Sequence, residues 1–168
     1  MIFVTVGTHE QPFNRLVEYM DKLRQNDLIK EEVIIQTGYC TYKPQYCTWK
    51  PLFSYQKMKE LVGEARIVIT HGGPSSFIMP LQVGKIPIVV PRKSEFNEHV
   101  NNHQVTFAKA VAKRMGTIYV VEDIERLCET IMNYDNIISN MGTGLNSNNA
   151  NFNFELQRIV DGMFKGHK

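Results

Sequence analysis

Short apolar runs alternate along the chain with segments whose apolar residues recur at helical spacing. Ile2-Phe3-Val4-Thr5-Val6 is rich in strand formers and stops at Gly7. Leu16, Val17, Met20 and Leu23 then predict a helix. Val33-Ile34-Ile35-Gln36-Thr37 predicts a second buried strand, ended by Gly38. Tyr39 to Pro51 is aromatic and irregular, and a loop with a short strand is expected there. Tyr55 to Glu64 predicts a helix, Arg66 to Thr70 a strand, and the apolar segment after Gly73 a helix ending near Gly84. Ile86 to Val90 predicts a strand closed by Pro91. Val105, Ala108, Val111, Ala112 and Met115 mark a helix over Val100 to Met115. Thr117 to Val121 predicts a strand, and Ile124, Leu127, Cys128 and Ile131 a further helix. Residues 136–151 are polar and rich in asparagine, which predicts a loop, with a final helix over 152–165.

Strands alternating with helices imply an α/β domain with a Rossmann-like, mostly parallel sheet covered by helices on both faces. A single domain over residues 1–168 accounts for the pattern, with no repeat and no linker. In such sheets ligands sit at the carboxyl ends of the strands. Gly7, Gly38, His71 and Pro91 fall at those ends.

Composition narrows the classes. With 19 basic and 17 acidic residues the formal charge is +2, so no broad basic face for nucleic acid is expected. Arg92-Lys93 and Lys109, Lys113, Arg114 read as solvated surface, with a membrane- or partner-facing role as the alternative. Cys40, Cys47 and Cys128 form no Cys-x-x-Cys pair, which fits a reducing, cytoplasmic setting. Met1 to Val6 lacks a basic leader. No segment approaches the roughly 20 apolar residues that span a bilayer. Membrane work is therefore expected to use a surface or a partner.

The chemistry concentrates in Thr70-His71-Gly72-Gly73-Pro74-Ser75-Ser76. Strand, glycine turn and helix follow one another there. The glycines let backbone approach a ligand, and the helix start favours an anion. Ser75 and Ser76 can cap the helix or donate to phosphate oxygens, and His71 adds a donor. These parts suit a diphosphate. Gly7-Thr8-His9 ends the first strand at the same sheet edge; the bland reading is an ordinary strand-to-helix turn. No Gly-x-Gly-x-x-Gly or Walker sequence occurs. Met141-Gly142-Thr143-Gly144 follows no strand and is set aside. In Glu98-His99-Val100-Asn101-Asn102-His103-Gln104 the two outer histidines could share a helix face, as zinc ligands do. Val100 stands where a metalloprotease needs Glu, so sugar contacts from His103 and Gln104 are the preferred reading. Helix capping by Asn97 or Asn101 is the bland one. Ser75 lies in no nucleophile elbow. The aromatic set from Tyr39 to Tyr55 is expected to cover a sheet end, with a rim for a base or sugar as the alternative.

Taken in order, Thr5-Val6-Gly7-Thr8, Gln36-Thr37-Gly38, Thr70 to Ser76, Gly84 to Arg92 and Glu98 to Gln104 resemble the C-terminal, donor-binding domain of glycosyltransferase family 28. The resemblance runs from Met1 to about Val121. It is nearest to short bacterial capsule and exopolysaccharide subunits, which resemble the catalytic subunit of the split eukaryotic UDP-N-acetylglucosamine transferase. It implies the C-terminal half of a GT-B enzyme. The other half would be a separate membrane-associated chain that supplies the acceptor side and holds this one at the inner face of the plasma membrane. Isolated, the exposed interface could make a homodimer.

The resemblance further implies a UDP-sugar donor, no obligatory cofactor or metal, and inverting transfer of a hexose, galactose by preference, to a lipid-linked saccharide. A non-catalytic nucleotide-sugar-binding or enhancer subunit is the alternative. By matching position, Gly7, Thr8, His71, Gly72, Gly73, Ser75 and Ser76 would hold the diphosphate. Backbone near Phe53 and Ser54 would meet uracil. Glu98, His103 and Gln104 fall in the substrate-binding set, the last two on the transferred sugar. His9 is the candidate catalytic base. One departure stands out: the resemblance places a ribose-binding glutamate eight residues after the motif histidine, and this chain has Met79 there.

Overall fold

Ile2, Phe3, Val4 and Thr5 are all buried, so the first strand has no solvent face and must lie inside the sheet. The computed structural model, which describes residues 1–141, places it there. The strands are β1 (Ile2–Thr5), β2 (Val33–Gln36), β3 (Thr48–Lys50), β4 (Ile67–Thr70), β5 (Ile88–Val89) and β6 (Tyr119–Val120). They form one sheet in the order β3-β2-β1-β4-β5-β6, and every pair is parallel. The chain therefore winds outward from β1 to one edge, then returns to β4 and winds to the other. This is the Rossmann order, and its switch point lies between β1 and β4. Thr5 stands opposite both Gln36 and Thr70, so three strands end at one level.

Helices α1 (Asn14–Gln25), α2 (Tyr55–Glu64), α3 (Pro74–Gln82), α4 (His103–Met115), α5 (Leu127–Met132) and α6 (Tyr134–Asn140) complete the described fold. Alternate residues of β1 face opposite layers. Ile2 and Val4 pack with Leu16, Val17, Met20, Leu127 and Ile131. Phe3 packs with Leu61, Val62, Ala65 and Val68 on the other side. Two polar ties fix helix ends. The Ser54 hydroxyl accepts the Lys57 N–H and caps α2. The Lys85 ammonium donates to the carbonyls of Val62 (2.9 Å), Gly63 and Ala65 at the other end of α2, where positive charge suits the dipole.

Several expectations change. The helix expected from Val100 starts at His103, because the Asn102 side chain is turned back to accept from the Ser94 N–H (2.8 Å) and hydroxyl. Part of the expected polar loop is helical: residues 136–140 belong to α6, which Tyr134 pins to the core by burying its ring and donating its hydroxyl to the Ile86 carbonyl. The rest of that loop and the expected helix over 152–165 lie outside the described residues. The helix expected around Ile124 opens with a 3-10 turn, Ile124–Arg126. Arg92, grouped with surface charges, is fully buried. In the aromatic stretch Tyr42 and Trp49 pack on the core, while Tyr39, Tyr46 and Tyr55 are exposed. Asp21 organises that stretch: its carboxylate accepts from the Tyr42 hydroxyl (2.8 Å) and from the N–H groups of Gln45, Tyr46 and Cys47.

Candidate functional site

A cleft of 390 Å³ opens at the switch point between the ends of β1 and β4. Thr5, Gly7, Thr8 and His9 line it from the β1 turn. His71, Ser75 and Ser76 line it from the turn into α3, and Gln36 from the end of β2. The remaining wall is apolar and consists of Met58, Val62 and Met79.

The His71 ring sets the geometry of the phosphate end. It lies between two glycines: a Cβ at Gly7 would sit 2.3 Å from Nε2, and one at Gly73 would sit 2.3 Å from Cε1. No other residue fits either position without moving the ring, and Gly7 has a φ of +75° besides. Nδ1 of His71 accepts the Gly73 N–H at 3.1 Å, so the neutral ring carries its proton on Nε2. Burial lowers the His71 pKa to about 4; the Arg92 charge and the neighbouring His9 and His99 push the same way, and a contact with Gln104 opposes them. At neutral pH His71 is therefore an uncharged donor.

Gly73 is the N-cap of α3 and Pro74 its first residue. Pro74 has no N–H, and the Ser76 N–H turns back to the Gly73 carbonyl. The Ser75 N–H is left as the first-turn donor without a partner inside the helix. The Ser76 hydroxyl donates to the carbonyls of His71 (2.9 Å) and Gly73 (2.6 Å), which locks the turn. Ser75 is exposed.

Behind the cleft stands a brace that the sequence did not announce. Arg92 donates to the carbonyls of Val6 (2.8 Å), Gln11 (2.6 Å) and Glu98 (3.0 Å), and its guanidinium lies 4.9 Å from the Phe13 ring centre. The Glu98 carboxylate takes Arg15 in a two-pronged contact, both bonds 2.8 Å, and accepts the Lys93 N–H. The loops after β1 and β5 are thereby tied together. An arginine just past a predicted strand, with a glutamate a few residues on, was the available signal. A polar pair at the ends of apolar runs was another: Gln36 donates to the Thr5 hydroxyl (3.2 Å) and accepts the Phe53 N–H (3.0 Å).

The other sequence candidates lie around the cleft. Phe53 and Ser54 lead into α2 but do not line it. Glu98 and Gln104 are buried; Gln104 packs against Gly72, where a Cβ would meet it at 2.9 Å, and its Oε1 accepts the Arg92 N–H. His103 and Gly72 line a neighbouring apolar groove of 590 Å³ with Pro74, Thr106, Phe107 and Ala110. His9 and His99 have ring centres 4.9 Å apart, and His99 and His103 4.6 Å apart. The Asn101 side chain accepts the His103 N–H (3.1 Å), so it serves the first turn of α4. The His9 Nδ1 accepts the Gln11 N–H at 3.1 Å. Among the described residues no three His, Cys, Asp or Glu side chains converge as metal ligands, and no helix is long and apolar enough to cross a membrane.

The family model of the glycosyltransferase family 28 C-terminal domain matches residues 1–160 of the chain. No curated protein matches it. Among solved structures, CalG4, the calicheamicin glycosyltransferase, has a similar fold, with a TM-score of 0.53 and 11% identity. That match covers 78% of this chain and 32% of CalG4. The glycosyltransferase SnogD from Streptomyces nogalater aligns with a TM-score of 0.48 and 16% identity, covering 83% of this chain and 40% of SnogD. The chain thus corresponds to well under half the length of either protein.

Proposed function

We propose, from the premise that this chain belongs to the glycosyltransferase family 28 C-terminal domain family, that its cleft binds the diphosphate of a UDP-sugar and that the chain is the donor half of an inverting hexosyltransferase. The observation that carries the reading is the phosphate end of the cleft: two glycines, the uncharged His71 donor and the start of α3 meet at the switch point. Backbone amides, a helix dipole and a neutral imidazole stabilise the charge that grows on a departing diphosphate, and they do so without reorganising. In this reading they replace an obligatory metal.

The acceptor oxygen attacks the anomeric carbon from the face opposite the diphosphate. The carbon–oxygen bond to phosphate breaks, and its electron pair leaves with UDP. His9 takes the acceptor proton on Nδ1 once the ring releases the Gln11 N–H. Galactose is the first sugar to test, and a lipid-linked saccharide the first acceptor. A membrane-associated partner chain completes the acceptor side and brings the protein to the inner face of the plasma membrane.

Titration of the full chain with UDP, GDP and ADP by calorimetry tests the donor site. Selective UDP binding that is lost in Gly73→Ala, whose new Cβ displaces the His71 ring, is the expected result. Equal binding of all three nucleotides, or of none, with or without the partner chain, would overturn the reading.

A further inference from the structure

His9, His71, His99 and His103 surround the cleft and the groove beside it, and hydrogen bonds set which ring nitrogen of each carries the proton. Three of them are alike. Nδ1 accepts a backbone N–H in His9 (from Gln11, 3.1 Å), in His71 (from Gly73, 3.1 Å) and in His99 (from Asn101, 3.5 Å). A ring nitrogen that accepts has no proton, so each of these rings, when neutral, presents an Nε2–H donor.

His103 is the exception. The side-chain oxygen of Asn101 lies 2.5 Å from Nδ1 of His103, and it also accepts the His103 backbone N–H at 3.1 Å. The second contact identifies the first. A backbone N–H needs an acceptor opposite it, so the atom that faces Nδ1 is the amide oxygen and not the amide NH₂. Nδ1 of His103 is therefore the donor, and the neutral ring keeps its lone pair on Nε2. Asn101 thus bonds two rings whose centres are 4.6 Å apart and gives them opposite tautomers. Its backbone N–H holds His99 with the proton on Nε2, and its side chain holds His103 with the proton on Nδ1.

That lone pair stands beside the phosphate end of the cleft. In the turn into α3, His71 and Ser75 line the cleft, while Gly72 and Pro74 line the groove that His103 shares. The two spaces begin on adjacent residues, whose Cα atoms are about 3.8 Å apart. A group joined to a diphosphate at this turn can therefore extend into the groove. Pro74, Phe107 and Ala110 offer it apolar surface, and Nε2 of His103 offers an acceptor. A hydroxylated ring with one apolar face suits both. A histidine whose Nδ1–H is held by a neighbouring oxygen, with Nε2 turned to a hydroxyl, is an arrangement that proteins use to orient an imidazole.

We propose that Asn101 is a positioning residue: it fixes His103 in the Nδ1–H tautomer, so that Nε2 accepts a hydrogen bond from a hydroxyl of the sugar that the nucleotide carries. The proposal rests on the nucleotide-sugar reading of the cleft and adds the residue that orients the sugar contact.

Nitrogen NMR of the full chain at about pH 8, above the ordinary histidine range, reads the tautomers directly, with His103→Gln to assign the signal. His103 is expected to carry its proton on Nδ1, and His9, His71 and His99 on Nε2. A His103 ring protonated on Nε2 would overturn the proposal. Calorimetry with UDP, UDP-galactose, UDP-glucose and UDP-glucuronate, with the partner chain where binding needs it, reads the consequence. Asn101→Ala, checked by thermal melting, should mix the His103 tautomers and weaken the best-bound UDP-sugar about two- to tenfold, the range of one hydrogen bond, and leave UDP within about twofold. Asn101→Asp keeps an oxygen at Nδ1 and should restore both tautomer and affinity. Unchanged sugar binding in Asn101→Ala, an equal loss for UDP and UDP-sugar, or no rescue by Asn101→Asp would reduce Asn101 to a structural role and overturn the proposal. Absence of binding by every nucleotide overturns the donor-site reading instead. The wild-type tautomer decides the role of Asn101 if Asn101→Ala does not fold.

Discussion

The cleft and the brace behind it both gather polar residues at strand ends, yet they hold them in opposite states. Arg92 is 1% exposed, with its terminal nitrogens spent on three carbonyls, and Glu98 is 2% exposed with both carboxylate oxygens occupied. In front of them, Ser75 is exposed and His71 is held uncharged between two glycines. A buried charge whose terminal atoms find partners fixes loops; a polar group whose partners are incomplete is available to a ligand. The brace thus positions the β1 and β5 loops, and the cleft uses the positions. Changes to the brace should strike stability, and changes to the cleft should strike binding.

The largest effect is expected from Arg92→Met. Removing one member of a buried charged network leaves three carbonyls and the Arg15–Glu98 pair without support, and about 3–5 kcal/mol of stability should be lost. Urea denaturation measures it. A loss below about 1 kcal/mol would mean that the brace does not hold the loops.

His71 makes the next prediction, and it joins the two regions because Arg92 is one cause of its low pKa. The folded pKa of about 4 lies below the usual 6.5, so between those values the unfolded chain binds more protons than the folded one. The stability that His71 brings is complete above pH 6.5 and is lost as pH falls toward 4, by about 3 kcal/mol at most. Stability curves of wild type and His71→Gln should converge or cross in that window. Parallel curves would reject a buried neutral imidazole.

Glu98→Gln comes third. Arg15 would lose its counter-charge, and about 2 kcal/mol of stability should go with it. If Glu98 only braces, the folded variant should bind UDP as wild type does. A specific loss of binding at unchanged stability would move Glu98 from the brace to the substrate. Smallest in stability is Ser75→Ala, expected within about 0.5 kcal/mol of wild type because the side chain is exposed. Its UDP affinity should still fall several-fold. A variant that binds as wild type does would confine recognition to the backbone amides.

Much of this was legible along the chain. The apolar runs, broken by glycine or proline, announced the parallel sheet and where its strands end, because buried strands cannot hide their hydrophobicity. The motif from Thr70 to Ser76 carried its own turn and helix start, since these are set by neighbours in sequence. Glu98 and Arg92 were harder. Each is an ordinary charged residue in sequence, and only the pairing of Glu98 with Arg15, and of Arg92 with a carbonyl of Val6, makes them internal. The start of the expected loop failed for a similar reason, as Tyr134 reaches across to Ile86 and holds α6 in place.

The sequence by itself determined the order of strands and helices, the glycine turn before α3 and the departure at Met79, because each depends on residues close together in the chain. Only the tertiary structure decided that Gly7 and Gly73 close on opposite sides of one imidazole, that Met79 shares a wall with Met58 and Val62, and that Arg92 lies inside. Those facts arise where the chain crosses from β1 to β4 at the switch point. Contacts across that crossing depend on packing between distant segments, which local propensity does not encode.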